Sequence, residues 1–325
     1  MATNYTNTLA GLLVLNNESF ADIFPSDVLN MSPVVAAATA IPASAGGTQH
    51  KYVRQLTAPG AGFRKINTGV TNAATTFKDI TANCEYLDPS FTRDVALAQG
   101  YRKGLSSYIQ GETGKSIVQG LYGIEDALFN FDVSTQFVGL PYMNDYADTD
   151  VGQIVDAGGS GGKSVWLLNW GPDAVALVAG NEGRIDMEWS DDNPTIVQVT
   201  DAGSTNVYSA YRVTLGMWIG LQVGSLYDVV RIANLDATSD DLLTDDLISD
   251  ALTLFPNGHN PNMIVMNRTA RKELQQSRTA TNPTGAPAPF PTEAFGVPIT
   301  ISEALGTAEA TVNTSTTTTT TSSSV

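Results

Sequence analysis

Two segments of the chain resemble the glycine-rich loops that hold phosphate groups. Ala157–Ser164 reads AGGSGGKS, with alanine in place of the usual first glycine, and VWLLNW follows it. A phosphate loop works because it opens a helix whose N-terminal amides bind the phosphate, whereas VWLLNW predicts a strand. Gly111–Ser116 (GETGKS) precedes a predicted helix, but Ile109 stands where the tight-turn glycine belongs. We interpret the first segment as a flexible loop and the second as a helix start.

Residues that could form other catalytic or metal sites are few and scattered. His50 and His259 lie in a basic strand and in a turn, without the paired spacing of a zinc-binding helix. Cys84 is the single cysteine, so a thiolate cluster is excluded. Aspartates at 145–150 and 236–250 lack the EF-hand order of ligands and are typical of a solvated acidic face. The sequence therefore predicts no enzyme, no cofactor and no metal site.

The charges are distributed unevenly. The chain has 17 basic and 33 acidic residues, and a net charge of −16 argues against nucleic-acid binding through the overall field. No Asp or Glu occurs between Val28 and Lys78. The same segment carries five cations: Lys51, Arg54, Arg64, Lys65 and Lys78. A basic arm on an acidic body can bind the acidic body of an identical neighbour. The alternative is a solvated loop that happens to be basic.

These cations fall on a predicted two-stranded excursion. Residues 48–56 (TQHKYVRQL) and 75–87 (TTFKDITANCEYL) have the pattern of strands, and TAPGAGF and RKINTGVTN lie between them. Isolated hairpins are only marginally stable in water, so one of this length should lie on another surface.

The rest of the chain mixes helical and strand patterns. Apolar residues recur at helical spacing between Ser90 and Phe131, but glycines at 100, 104, 111, 114, 120 and 123 argue against one unbroken helix. Residues 165–235 are strand-rich. Within them, Tyr211–Val223 (YRVTLGMWIGLQV) has a large apolar residue at every odd position, which predicts one long strand with that face buried.

Capping residues mark two later helices. Thr244 is a cap for a helix ending at Phe255, and Asn267 caps another after the strand MIVM. A last strand, VPITIS, precedes the Thr- and Ser-rich residues 311–325, whose composition predicts a flexible tail.

Length and composition set the broad class. A chain of 325 residues with 42% hydrophobic residues can form one large or two medium globular domains. No apolar run approaches the roughly 20 residues that span a bilayer, and the N-terminal residues lack the basic leader of a secretory signal. A single cysteine suits a reducing compartment.

Four blocks of sequence, in order, resemble the major capsid proteins of tailed double-stranded-DNA bacteriophages. They are FRKINTGVTNAATTFKDITANCEYLDPSFTRDVALAQG (63–100), SVWLLNWGPDAVALV (164–178), YRVTLGMWIGLQVGSLYDVVRIANLD (211–236), and a pair, NMIVMNRTARKELQQS (262–277) with FGVPITISEAL (295–305). Each block alone is a weak signature, but their shared order is specific, and together they span most of the chain.

The resemblance implies an α+β subunit with the Hong Kong 97-type capsid fold. An N-terminal arm would occupy residues 1–45 and an extended β-hairpin loop residues 46–83. A peripheral domain with a long spine helix would take residues 84–150 and 290–312, and an axial domain residues 151–289. Residues 313–325 would form a C-terminal tail.

The resemblance also implies a structural role and no enzymatic one. Such subunits assemble as pentamers and hexamers of an icosahedral shell that encloses double-stranded DNA without reading its sequence and without a membrane. The basic loop then lies over an adjacent subunit, so Lys51, Arg54, Arg64 and Lys65 are expected to form intersubunit ion pairs. Some members link a loop lysine covalently to an asparagine of a neighbour, but no specific motif for this linkage matches here.

The expected partners are further copies of the chain, a separate scaffolding protein, a portal protein and decoration proteins. A separate scaffold is expected because the N-terminal residues lack a long charged, coiled-coil-like segment. Assembly would take place in the host cytoplasm and end in the virion. Three alternatives remain at this point: the shell protein of a bacterial nanocompartment with the same fold, a secreted β-rich surface protein, and a nucleotide-binding enzyme that uses Lys163.

Overall fold

The computed structural model describes residues 32–44, 46–69, 74–130, 136–143, 152–180, 182, 185, 187–189, 193–201, 203, 205–236, 241–280, 282 and 286–312. The predicted flexible tail from residue 313 onward and most of the predicted N-terminal arm lie outside these residues. None of the helices in the described part of the chain is long and apolar enough to cross a membrane.

The described helices and strands alternate along the chain. The helices are α1 (Pro33–Ala37), α2 (Val95–Gln99), α3 (Leu105–Asn130), α4 (Asp245–Thr253) and α5 (Arg268–Ala280). The strands are β1 (Ala40–Pro42), β2 (Gln49–Thr57), β3 (Thr76–Asn83), β4 (Glu85–Leu87), β5 (Phe91–Asp94), β6 (Ile154–Asp156), β7 (Lys163–Leu168), β8 (Val175–Ala179), β9 (Glu188–Trp189), β10 (Thr195–Thr200), β11 (Val207–Val213), β12 (Leu215–Val223), β13 (Val229–Leu235), β14 (Met263–Met266), β15 (Glu293–Ala294) and β16 (Val297–Ile301).

The largest sheet has the strand order β15-β16-β14-β7-β13-β6. Its central strands are apolar on both faces because both faces are covered. In β7, Trp166 and Leu168 belong to one buried cluster, and Val165 and Leu167 belong to another. Helices α4 and α5 cover the second face through residues such as Ile248 and Leu274. A strand buried on both faces reads as a continuous apolar run, which is the pattern of VWLL in the sequence.

A second sheet has the order β1-β8-β12-β4, and β9 also pairs with β12. The inner face of this sheet and the long helix α3 contribute to the cluster that also contains Trp166. Leu177, Ile124 and Leu128 are buried there. The two sheets and the helix therefore share one apolar core.

The prediction of a single strand over 211–223 was wrong, although the burial of its odd-numbered residues is confirmed. The strand is interrupted at Thr214: β11 pairs with β10 and β5, whereas β12 joins the second sheet. Side chains satisfy the backbone at the break. The amide of Asn193 donates to the Thr214 carbonyl and accepts from its N–H, both at 2.8 Å, and the Ser90 hydroxyl does the same for Leu215. These bonds let the chain change sheets without unpaired backbone groups.

The expectation that glycines interrupt the helical region is confirmed in part. Helices α2 and α3 are separated at residues 100–104, where Gly104 has a φ of 88°. The glycines at 111, 114, 120 and 123 do not interrupt α3, which is unbroken over 26 residues. Burial of residues such as Ile124 and Leu128 in the shared core offsets the unfavourable helix propensity of these glycines.

The predicted caps of the two later helices are confirmed. The Thr244 hydroxyl caps α4 by accepting from Leu247 N at 3.3 Å, and Asn267 caps α5 by accepting from Ala270 N at 2.8 Å. The predicted 75–87 strand is divided into β3 and β4 at Cys84.

The domain boundaries stay a prediction. Strand β16, expected in the peripheral domain, pairs with β14, and the segment after it contacts α3 through Ser302 and Glu125.

Candidate functional site

The first phosphate-loop-like segment is a packed corner and not the predicted flexible loop. A Cβ on Gly159 would overlap the Asn234 carbonyl oxygen, and Gly162 exchanges backbone hydrogen bonds with Glu309. Lys163 is 2% exposed and forms a buried ion pair with Glu273 on α5. The lysine and the loop are therefore engaged by other parts of the chain.

The second such segment, GETGKS, lies inside α3 and is not the helix start that the sequence predicted. Glu112 accepts hydrogen bonds from Arg93 and Lys115, both at 2.8 Å, and the Ser116 hydroxyl donates to the Pro89 carbonyl. Burial opposes ionisation of Glu112, but the hydrogen bonds from Lys115 and Arg93 outweigh it and lower the pKa of this carboxyl. The amides in the middle of a helix are already bonded, so this segment has none to offer a phosphate.

The other side chains that could take part in catalysis or metal binding do not form a cluster among the described residues. Among the described residues, no group of three or more His, Cys, Asp or Glu side chains could hold a metal ion. His259 Nδ1 lies 2.8 Å from Asp228 Oδ1, and His50 stacks on Tyr52 with ring centroids 5.8 Å apart. Cys84 is buried, and burial raises the pKa of its thiol to about 11.

The most unusual surface is the hairpin of β2 and β3, which pair antiparallel from Gln49↔Asn83 to Thr57↔Thr76. Within the described chain these strands form a sheet of two. Its base is held to the second sheet by the Tyr52 hydroxyl, which donates to the Val223 carbonyl at 2.9 Å. The outer part is exposed on both faces and includes large apolar side chains: Val53, Leu56, Phe63, Ile66 and Phe77.

A turn orders the tip of the hairpin. The N–H and hydroxyl of Thr68 donate to the Lys65 carbonyl at 3.2 and 2.8 Å, and Asn67 has a φ of 67°. Asparagine tolerates this left-handed conformation better than most residues. The turn places Arg64 and Lys65 next to each other on exposed chain, beside the fully exposed side chains of Phe63 and Ile66. The tip thus combines positive charge with apolar surface.

The inner face of the hairpin lines an open groove of about 590 Å³. Tyr52 and Arg54 of β2 line this groove together with Phe137 and Tyr142. Arg54 is directly opposite Lys78 of β3. Like charges in directly opposed positions destabilise a strand pair.

The structure therefore places the four predicted contact residues in three separate regions. Lys51 is exposed on the outer face of β2, Arg54 is half-buried on the inner face, and Arg64 and Lys65 are at the tip. Alternation along a strand puts residues 51 and 54 on opposite faces, which the spacing of the two residues already indicated. The exposed apolar side chains near the tip, Phe63 and Ile66, were not predicted from the sequence.

A second exposed hairpin, formed by β10 and β11, was missed as a surface feature. Ile196, Val207 and Tyr208 are exposed on it. Its alternating pattern was visible in TIVQVT (195–200), but the pattern does not reveal that no other element among the described residues covers it. Strand β5 supports β11 at Ala210–Val213.

These features define a subunit with a two-sheet core, a long helix and a protruding basic hairpin. The same fold is seen in a structure of bacteriophage Epsilon15, with 18% sequence identity, 96% of this chain and 99% of that chain covered, and a TM-score of 0.64. It is also seen in the bacteriophage JBD30 capsid, with 12% identity, 91% and 98% coverage and a TM-score of 0.55. The chain has the α+β, Hong Kong 97-type capsid fold, as its sequence predicted.

The family follows from the sequence itself. Residues 25–313 match the family model of the major capsid protein GP7. The chain belongs to this family: it is a major capsid protein of a tailed-phage shell, and its place is in the virion. The nanocompartment alternative is not favoured by this match. No curated protein sequence matches the chain significantly.

Proposed function

We propose that the chain assembles as pentamers and hexamers of an icosahedral shell around double-stranded DNA, and that the β2–β3 hairpin binds an adjacent copy. One observation carries the second part: the hairpin extends Phe63, Ile66 and Phe77 into solvent. A two-stranded hairpin is marginally stable in water, and exposed apolar side chains on it are typical of a surface that becomes buried on association.

The charges favour the same arrangement. The hairpin cations Lys51, Arg54, Arg64 and Lys65 belong to a segment without acidic residues, whereas the chain as a whole has a net charge of −16. In this proposal they form ion pairs with carboxylates of the neighbouring copy. Such pairs guide the register and the rate of association more than they add affinity, and the apolar tip supplies the burial.

The finer organisation follows the same proposal. Residues 46–83 serve as the extended loop, residues 84–150 and 290–312 as the peripheral domain, and residues 151–289 as the axial domain that meets its copies around the symmetry axes. The protein acts without catalysis. A separate scaffolding protein, a portal protein and decoration proteins are its partners, and assembly takes place in the host cytoplasm.

Electron microscopy of the purified full-length chain tests the shell, with and without a co-expressed scaffolding protein. We expect closed icosahedral particles. Small monodisperse particles under every condition would overturn the proposal of shell assembly.

A charge-reversed tip tests the hairpin contact. The double variant Arg64→Glu, Lys65→Glu should reduce particle yield at least tenfold, because it places like charge against the acidic neighbour. The matched control is Arg102→Glu, Lys103→Glu, which makes the same charge change on an exposed turn before α3. Thermal unfolding of the unassembled chains should be alike. Equal particle yields from the two variants would contradict the role of the tip.

A further inference from the structure

Another groove, with basic side chains in its wall, lies along helix α5. In the sequence this helix is far from the β2–β3 hairpin. It is open, has a volume of about 730 Å³, and is lined by Pro33, Arg268, Arg271, Lys272, Phe290, Ile301 and Glu303. Three of these residues are cations and one is an acid. On α5 the cations stand at positions i, i+3 and i+4, which places them on one face of the helix.

The groove also offers apolar surface. Phe290 is exposed, and the Arg271 guanidinium lies 5.3 Å from the centroid of its ring. Arg271 Nε donates to the Pro291 carbonyl at 2.9 Å, and Arg268 forms an ion pair with Glu303. Two of the three cations are thus held in place by groups on the groove wall. The combination fits a polypeptide segment that is both acidic and apolar.

The groove lies where the N-terminal residues meet the described part of the chain. Pro33, the first residue of α1, forms part of its wall. Residues 1–31 contain the acids Glu18, Asp22 and Asp27 and no Lys or Arg, in contrast to the basic groove. The stretch 20–29 reads FADIFPSDVL, with apolar residues between the two aspartates and around them.

We propose that residues 22–31 dock into this groove of their own chain. Asp22 and Asp27 bind the cations of α5, and Phe24, Val28 and Leu29 cover Phe290 and Ile301. The connection is short: Asp27 is six residues before Pro33, a span of at most roughly 20 Å when extended. Docking within one chain also carries a smaller entropic cost than capture of a separate peptide, because the segment is already tethered.

Disulfide trapping tests the docking directly. The full-length double variant Ser26→Cys, Phe290→Cys should form an intrachain disulfide under mild oxidation, seen by mass spectrometry and as a faster monomer band on a non-reducing gel. Cys84 does not interfere, because it is buried and its thiol has a pKa of about 11. The matched control is Ser26→Cys, Ser209→Cys, with the second cysteine on the exposed strand β11. It should give at least tenfold less intrachain product.

The charges are tested in the same background. Asp22→Asn with Asp27→Asn should lower the yield of the intrachain disulfide several-fold, because it removes the two negative charges that face the groove. Asn16→Lys with Asn17→Lys changes the net charge equally but outside the docking segment, and should leave the yield unchanged. Interchain disulfides only, or equal yields from the Phe290 and Ser209 pairs, would overturn the proposal. An intrachain disulfide does not require a shell, so this result is separate from the outcome of the assembly experiment.

Discussion

The two exposed hairpins of the subunit differ in what supports them. The β10–β11 hairpin shares β11 with a third strand, β5, over Ala210–Val213. The β2–β3 hairpin forms a sheet of two strands within the described chain and is tied to the body at its base by Tyr52. It also carries Lys51, Arg54, Arg64, Lys65 and Lys78, and the two most exposed large apolar side chains of the described residues, Phe63 and Ile66. The comparison indicates that the first hairpin is stabilised within the subunit, whereas the second depends on contacts outside it.

The sharpest way to test this difference is to compare a leucine of the body with one of the β2–β3 hairpin. Leu177 is 0% exposed in β8, and Leu56 is 55% exposed in β2. Leu177→Ala should lower the free energy of unfolding of the unassembled chain by about 2–5 kcal/mol, because it leaves a cavity in the shared core. Leu56→Ala should change it by less than about 0.5 kcal/mol. Chemical denaturation measures both. Similar losses would show that the hairpin is already packed within the subunit.

Removing the side chain that bonds to Thr214, where the chain passes from β11 to β12, should have a smaller effect. Asn193→Ala removes both bonds to Thr214 and leaves its N–H and carbonyl without their partner. We expect a loss of about 1–3 kcal/mol in unfolding free energy, the cost of burying an unpaired polar group. Ser209→Ala, exposed on β11 of the same hairpin, is the control and should change it by less than about 0.5 kcal/mol. An unfolding midpoint for Asn193→Ala equal to that of the wild type would mean that other groups bond to the Thr214 backbone in place of the Asn193 amide.

Removing the Tyr52 hydrogen bond at the base of the β2–β3 hairpin should have a smaller effect still. Tyr52→Phe removes the hydrogen bond to the Val223 carbonyl while keeping the ring. A loss of about 0.5–1.5 kcal/mol corresponds to roughly two- to tenfold faster hydrogen exchange of the β2 and β3 amides in the unassembled chain. Tyr208→Phe, exposed on the other hairpin, serves as the control. Unchanged exchange in β2 would show that the hairpin is held by other contacts.

The smallest expected effect concerns a buried carboxylate in the body. Glu125 of α3 is buried and accepts hydrogen bonds from Val34 N at 2.9 Å and from the Ser302 hydroxyl, so it joins α1, α3 and the segment after β16. Burial raises the pKa of the Glu125 carboxyl above its usual value, although the hydrogen bonds from Ser302, Val34 and Val35 oppose this.

A carboxyl with a raised pKa in the folded state favours the protonated form. Its contribution to stability is therefore present below its ordinary pKa of 4.5 and is lost as the pH rises from there through the raised pKa of the folded state. Glu125→Gln should remove that decline, so the melting temperatures of variant and wild type converge near pH 4 and separate toward neutral pH, with the variant higher. A variant less stable at every pH would show that the ionised carboxylate is favoured here.

The sequence predicted the elements that depend on local chemistry. The caps at Thr244 and Asn267, the strand MIVM and the burial of every odd residue from 211 to 223 could be read from side-chain type and period. The break at Thr214 could not, because period two continues across it and the bonds that allow it come from the distant residues Asn193 and Ser90. The continuity of α3 through its glycines could not either, since burial of residues such as Ile124 and Leu128 in the shared core offsets their poor helix propensity.

The sequence by itself determined the family, the acidic body and the basic segment that carries Lys51, Arg54, Arg64 and Lys65, because these depend on residue order and charge. Tertiary structure decided which of these cations lie together. It set Arg54 opposite Lys78 and brought Pro33 to the cations of α5. The separation of Lys51 from Arg54, in contrast, could already be read from their spacing on a strand. Such juxtapositions join residues far apart in the chain, and strand pairing and the packing of whole elements fix them.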